Sequence, residues 1–165
     1  MLRRGRGVAK DFDKAIELFE KVNRLGGDAY KALANVKNLK KLKAFDDGGN
    51  YFMSKQFSKA LPLFLIAEDL GHKDASFSLG CIYLIGKDGV AHDLKKGVEY
   101  LVKNMGERDA YDFVGGMYLS GDEVDVNLKI AVEYLQKACD LGKKESKKPL
   151  KAAKKLLKKE KKGGK

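Results

Sequence analysis

Apolar residues recur at intervals of three and four along most of this chain, in blocks punctuated by glycine, aspartate and asparagine. Three blocks share one plan: Asp11-Phe-Asp-Lys-Ala15-Ile-Glu-Leu-Phe19, Asp93-Leu-Lys-Lys-Gly97-Val-Glu-Tyr-Leu101 and Asn127-Leu-Lys-Ile-Ala131-Val-Glu-Tyr-Leu135. In each, Asp or Asn stands four residues ahead of Ala or Gly, and apolar residues then follow at helical spacing, as in Ala131, Val132, Leu135 and Ala138. A short acceptor side chain there satisfies the free N–H groups of a helix's first turn, so Asp11, Asp93 and Asn127 are predicted N-caps of three equivalent helices.

A second pattern alternates with the first. Ala75-x3-Leu79-Gly80-x2-Tyr83-x2-Gly86 matches Ala110-x3-Val114-Gly115-x2-Tyr118-x2-Gly121. Glycine inside a helix costs about 1 kcal/mol relative to alanine. Its recurrence at Gly80 and Gly115 therefore predicts close helix–helix contact, and Gly86 and Gly121 are natural C-terminal stops. An earlier pair, Ala44-x3-Gly48-x2-Tyr51 and Phe57-x2-Ala60-x3-Phe64-x2-Ala67, has a shorter connection. Pro62 is expected within or just after the first turn of that second helix, where a missing N–H costs little. Asp28–Lys43 fits no repeat and is expected to join Ala44–Met53 in one long or kinked helix. At the other end, Gly142, Ser146 and Leu150 parallel Gly106, Ala110 and Val114. That predicts a further first helix over Ser146–Lys159, with Leu150, Ala153 and Leu157 as its seam and Lys161–Lys165 frayed.

Gly5-Arg-Gly7-Val8-x2-Asp11-x2-Lys14-Ala15 resembles the inter-helix loop and second helix of a Sel-one-like repeat (SLR), and so does Leu79-Gly80-x2-Tyr83-x2-Gly86…Gly89-Val90-x2-Asp93-x2-Lys96-Gly97. The Gly48–Ala67 unit is similar to a tetratricopeptide repeat. The resemblance covers most of residues 5–142, starting in the middle of a repeat. It implies an all-α fold, a right-handed α–α superhelix of about three to four helical hairpins. On this reading residues 1–146 form the solenoid and 147–165 a basic capping helix and tail.

The charge balance adds a second surface. Of the 34 basic residues among 165, twelve lysines lie from Lys143 onward with only Glu145 and Glu160 among them, so nearly all of the net +11 sits there. Terminal repeats need a polar outer face, and a solvated cap is the simplest account of the tail. The alternative is contact with a polyanion, nucleic acid or an anionic membrane surface, through Lys151, Lys154, Lys155, Lys158 and Lys159. The longest apolar run, Ala60–Ala67, is far short of the ~20 residues a membrane span needs. The N-terminus carries no apolar run like that of a signal peptide, so a cytoplasmic location is expected.

Little in the chain announces chemistry. His72 and His92 lack an HxxxH or HxH partner, so neither metal nor cofactor is expected. Cys81 and Cys139 have no CxxC spacing and are expected to be reduced, structural thiols. Arg3-Arg4-Gly5-Arg6-Gly7 matches an RG-type RNA contact or a phosphate-cradling GxGxxG only weakly, because Lys10 replaces the last glycine and no strand precedes it. An inter-helix loop is the simpler account. Asp46-Asp47 and Asp122-Glu123 are expected as solvated loop charges. The stretch at 137–141 resembles cysteine-rich SLR proteins, some of which are labelled as binding or hydrolysing β-lactams. In those, the cysteine at the position of Cys139 pairs with one about eight residues on. Here Lys147 stands in that place, no serine has Lys three positions later, and no Lys-Thr-Gly occurs. The expected function is that of a non-catalytic protein-interaction adaptor. Its partner, a protein or peptide, would lie on the concave face of the first helices, near Asn50, Ser78, Ile82, Asp112 and Met117.

Overall fold

In the computed structural model, which describes residues 11–163, all regular structure is helical. The order is α1 (Phe12–Arg24), α2 (Tyr30–Met53), α3 (Phe57–Asp69), α4 (Ala75–Ile85), α5 (Leu94–Met105), α6 (Glu107–Ser120), α7 (Leu128–Asp140), a 3₁₀ turn at Lys144–Ser146 and α8 (Lys147–Gly163). Each helix packs on the next. The most extensive contacts are within the hairpins α2/α3, α4/α5 and α6/α7, with α1 packed on α2 and α8 on α7. Each hairpin is too small to bury its own apolar face, so the core exists only where hairpins stack.

The caps form as the sequence predicts. Asp11 accepts from the Lys14 amide at 3.0 Å, Asp93 from Lys96 at 2.9 Å and Asn127 from Ile130 at 3.1 Å. Two of these residues also close their hairpins: the amides of Asp93 and Asn127 donate to the carbonyls of Tyr83 and Tyr118, each at 2.9 Å. Asp93→Ala and Asn127→Ala are each expected to cost about 1 kcal/mol, measured by urea titration. A loss no larger than that of an exposed loop substitution would mean that neither side chain caps its helix.

Gly80 and Gly97 press together. A Cβ on Gly80 would stand 3.0 Å from the Gly97 carbonyl oxygen, and one on Gly97 3.1 Å from that of Gly80. Backbone contact of this kind draws α4 and α5 close enough for Leu79, Leu84 and Leu101 to be completely buried. Gly86 ends α4 in the left-handed conformation, φ 57°, where a Cβ would also strike the backbone of His92.

Several expectations are refined or corrected. Asp28–Lys43 and Ala44–Met53 do merge, and α2 is one helix through Met53. Gly48 does not break it because Phe64 of α3 packs against it, 3.1 Å from where a Cβ would lie. Asp46 and Asp47 are therefore helical residues, not loop charges, and Lys43 pairs with Asp47 at 2.9 Å one turn away. Pro62 is the sixth residue of α3, just past its first turn. The shortened Arg108 region is realised as a single linking residue, Gly106, which ends α5 and starts α6. Lys161 and Lys162 are helical rather than frayed. The loop expected at Gly5–Val8, with the Arg3–Gly7 motif, and the last two residues lie outside the described residues.

Candidate interaction surfaces

The five residues expected to face a partner do not share one fate. Asn50 is exposed on α2 and lines a pocket of about 520 Å³ with Asp47, Tyr51 and Leu63. Ser78 and Met117 are half-buried. Ile82 is 0 % exposed, so its assignment to a binding surface is corrected. It lies on α4, which packs between α3 and α5 and reaches α6 through Phe77 and Phe113, their rings 5.3 Å apart. Asp112 is likewise committed internally. It accepts a hydrogen bond from the hydroxyl of Ser146, a fully buried residue at the entrance to α8. Close by, Lys143 donates to Asp109 at 2.9 Å and holds that carboxyl below its usual range. These two bonds latch the start of α8 onto α6.

The structure exposes instead a set of apolar side chains that the repeat pattern did not single out. On α2, Leu39, Leu42 and Met53 are 48 %, 44 % and 81 % exposed. Positions 39, 42, 46 and 53 fall on one face of a helix. Measured from the in-register glycines Gly48, Gly80 and Gly115, the same positions hold half-buried Ser78 and buried Ile85 on α4 and half-buried Phe113 on α6, so the strongly exposed apolar residues of this face are those of α2. A sequence signal existed in the apolar residues of Asp28–Met53 left over after α1 and α3 are packed. Only the packing shows which ones are left over.

The inter-helix loops are tied together at one end of the hairpins. Lys55, Asp88 and Glu123 are the non-glycine residues with positive φ among those described, at 57°, 52° and 62°. Such residues cost roughly 1 kcal/mol or more each and persist only where the surroundings hold them. Here each is held by another repeat. Lys55 bonds to Glu123 at 2.8 Å, Lys87 donates to the Glu123 carbonyl at 2.9 Å, and Asp88 accepts from both the amide and hydroxyl of Ser58. Hydrogen bonds from Ser58 hold the Asp88 carboxyl below its usual range, and the bond from Lys55 does the same for Glu123. Glu123 is an exposed loop charge, as expected, and is also paired.

Both histidines are in loops. His72 stacks on Phe45 with centroids 3.7 Å apart, and His92 Nε2 lies 2.6 Å from the Tyr118 hydroxyl. Among the described residues, no three His, Cys, Asp or Glu side chains group as a metal site would require. Nor is any described helix long and apolar enough to cross a membrane. The cysteines are free. Burial pushes the Cys81 thiol up to about 12, while Cys139 is half-buried. A thiolate is the reactive form, so a thiol reagent at mildly alkaline pH is expected to modify one cysteine, Cys139, in the folded protein and Cys81 only on unfolding. Peptide mapping checks the order, and rapid labelling of both would contradict the burial of Cys81.

On α8, Leu150 and Ala153 are buried and Leu157 is half-buried against the preceding helices, while Leu156 remains 45 % exposed. Lys151, Lys154, Lys155, Lys158 and Lys159 are all exposed, and Lys154 reaches across to Gln136 of α7 at 2.8 Å. Between the two helices runs a groove of about 460 Å³ whose lining includes Leu150, Cys139, Lys147, Lys151 and Lys154.

Comparison with known proteins follows the same lines. A family model described as Sel1 repeat matches residues 1–27, 73–103 and 108–143, more than half of the chain. The unmatched interior, 28–72, carries the α2/α3 hairpin with its shorter connection. No curated protein matches. Among solved structures, the chain is similar to a protective antigen present in uropathogenic Escherichia coli strains and displaying an SLR fold, at 26 % identity and a TM-score of 0.40 over 93 % of this chain. It is also similar to a Sel1 repeat protein from Oxalobacter formigenes, at 19 % identity and a TM-score of 0.36 over 94 % of this chain. The chain spans 31 % of the former's length and 67 % of the latter's.

Proposed function

The chain belongs to the Sel1 repeat family, and from that premise we propose that it is a non-catalytic scaffold that holds a protein or peptide partner on the face of its first helices. On this reading residues 1–146 are the binding solenoid and 147–165 its cap. The observation that carries the proposal is the exposed apolar stripe Leu39, Leu42 and Met53 on α2, beside the pocket at Asn50. Exposed large apolar side chains gathered on one helix face mark an interaction site, and here they flank the exposed carboxylate of Asp46. Asn50 lines the pocket beside the stripe, and half-buried Ser78 and Met117 are proposed to extend the surface on α4 and α6. Ile82 and Asp112 belong to the framework behind it.

The test is affinity capture with the full chain, followed by binding of the identified partner to purified protein. Leu42→Asp with Met53→Asp is expected to abolish binding while leaving the melting temperature nearly unchanged, because neither side chain is buried. Binding that survives both substitutions would refute the proposed face. The second reading, polyanion binding through α8, is supported by its row of exposed lysines. It predicts affinity that falls steeply with salt and is lost on replacing Lys151, Lys154, Lys155, Lys158 and Lys159. A scaffold working through the α2 stripe keeps its partner under both conditions.

A further inference from the structure

Among the described residues α3 is laid along α2, α5 along α4 and α7 along α6. The repeat register extends into α8. Ser146 is fully buried like its counterparts Ala75 and Ala110, and Leu150 is buried like Leu79 and Val114. One position on, Lys151 stands where Gly80 and Gly115 stand, and Lys154 stands where Tyr83 and Tyr118 stand. In the inner hairpins these positions face the second helix. A Cβ on Gly80 would meet Leu101 of α5, one on Gly115 would meet Leu135 of α7, and Tyr83 stacks on Tyr100 with centroids 5.8 Å apart. On α8 the groove of about 460 Å³ lies along the same face among the described residues.

We infer that this groove docks an acidic amphipathic helix of a partner protein, seated where a second helix lies in the other hairpins. Its lining combines an apolar floor, Leu150 with Cys139, a row of lysines on α8, Lys147, Lys151 and Lys154, that Lys158 extends at helical spacing, and Gln136 and Asp140 on the α7 side, so the lysines outnumber the one carboxylate three to one. An apolar seam on the incoming helix covers the floor, and its flanking carboxylates meet the lysines. Lysine at the glycine position keeps that helix farther out than α5 lies from α4, with the lysine methylenes packing beneath it. The Lys154–Gln136 bond across the groove opens to admit it. The structure favours this occupant over a membrane because the seam of buried Leu150 and Ala153 with half-buried Leu157 is already used against the solenoid, leaving Leu156 as the large exposed apolar side chain of α8. It favours a helix over nucleic acid because α8 carries neither arginine nor an aromatic residue to contact bases. The groove is separate from the α2 stripe, so either surface can fail its test without the other.

The experiment uses the full chain and a labelled peptide copying Asp93–Gly106 with Lys95→Glu, Lys96→Glu and Lys103→Glu, an acidic version of this protein's own second helix. The peptide is expected to bind at low salt and to slow alkylation of Cys139 in the groove. Lys151→Glu with Lys154→Glu is expected to weaken it about tenfold, against about twofold for the control Lys148→Glu with Lys159→Glu, which lies off the groove. Circular dichroism confirms that both variants stay folded, and Leu42→Asp with Met53→Asp leaves peptide binding intact. Absence of binding overturns the inference. So does equal binding of the unsubstituted lysine-bearing peptide, or binding that leaves Cys139 unprotected. Equal losses in the two lysine pairs, with displacement of the peptide by a single-stranded oligonucleotide or by phosphatidylserine vesicles, would assign α8 to diffuse polyanion contact instead.

Discussion

Gly115→Ala is expected to destabilise the protein, and Gly116→Ala, one residue further along the same helix, to stabilise it. Intrinsic propensity alone favours both, by about 1 kcal/mol for replacing a helical glycine with alanine. The surroundings differ. A Cβ at position 115 would lie 2.6 Å from Leu135 Cγ and 2.9 Å from the Leu135 backbone nitrogen, whereas one at position 116 meets nothing within 4 Å. A side chain can rotate away, but the α7 backbone can retreat only by separating from α6. Forced contacts of this kind cost about 1–3 kcal/mol, which exceeds the propensity gain. At about 2–4 °C per kcal/mol for a chain of this size, thermal melts should move in opposite directions. A parallel rise in both would mean that α6 and α7 are not in backbone contact at Gly115.

Leu101→Ala is expected to produce the largest single loss, about 2–5 kcal/mol. Leu101 is 0 % exposed, and its Cγ is the nearest atom, 2.7 Å away, to where a Cβ on Gly80 would lie. The same geometry predicts coupling. Gly80→Ala should be costly in the wild-type background and markedly less so beside Leu101→Ala, because the shortened side chain vacates the space the new methyl needs. Some penalty remains, since the Gly97 carbonyl oxygen is still 3.0 Å from the added carbon. A double-mutant cycle by urea titration should show an interaction of about 0.5–3 kcal/mol. Strict additivity would locate the constraint on Gly80 somewhere other than Leu101.

These two positions, with the inter-repeat loops, show how the molecule is built. Contacts within a hairpin set the distance between its helices, and contacts between hairpins set how successive pairs stack. The first kind rests on small residues recurring in register. The second rests on the apolar core buried where hairpins stack, joined by isolated pairs such as Lys55 with Glu123 and Ser58 with Asp88, which no repeat position announces. The candidate surfaces follow from what is left over. The α2 stripe and the α8 groove are parts of first helices left exposed among the described residues.

The amino-acid sequence by itself determined the all-α repeat, the three caps, the glycine contacts and the stop at Gly86. Each of these is local: a cap needs acceptors within one turn, and a helix–helix contact needs a small residue once per repeat. The tertiary structure alone decided that Ile82 is buried, that Asp112 is bound to Ser146 34 residues away, and that Glu123 reaches Lys55 68 residues away. Local spacing says which face of a helix is apolar. Which of those faces a neighbour then covers depends on how the hairpins stack, and that is set by the summed fit of every interface along the solenoid.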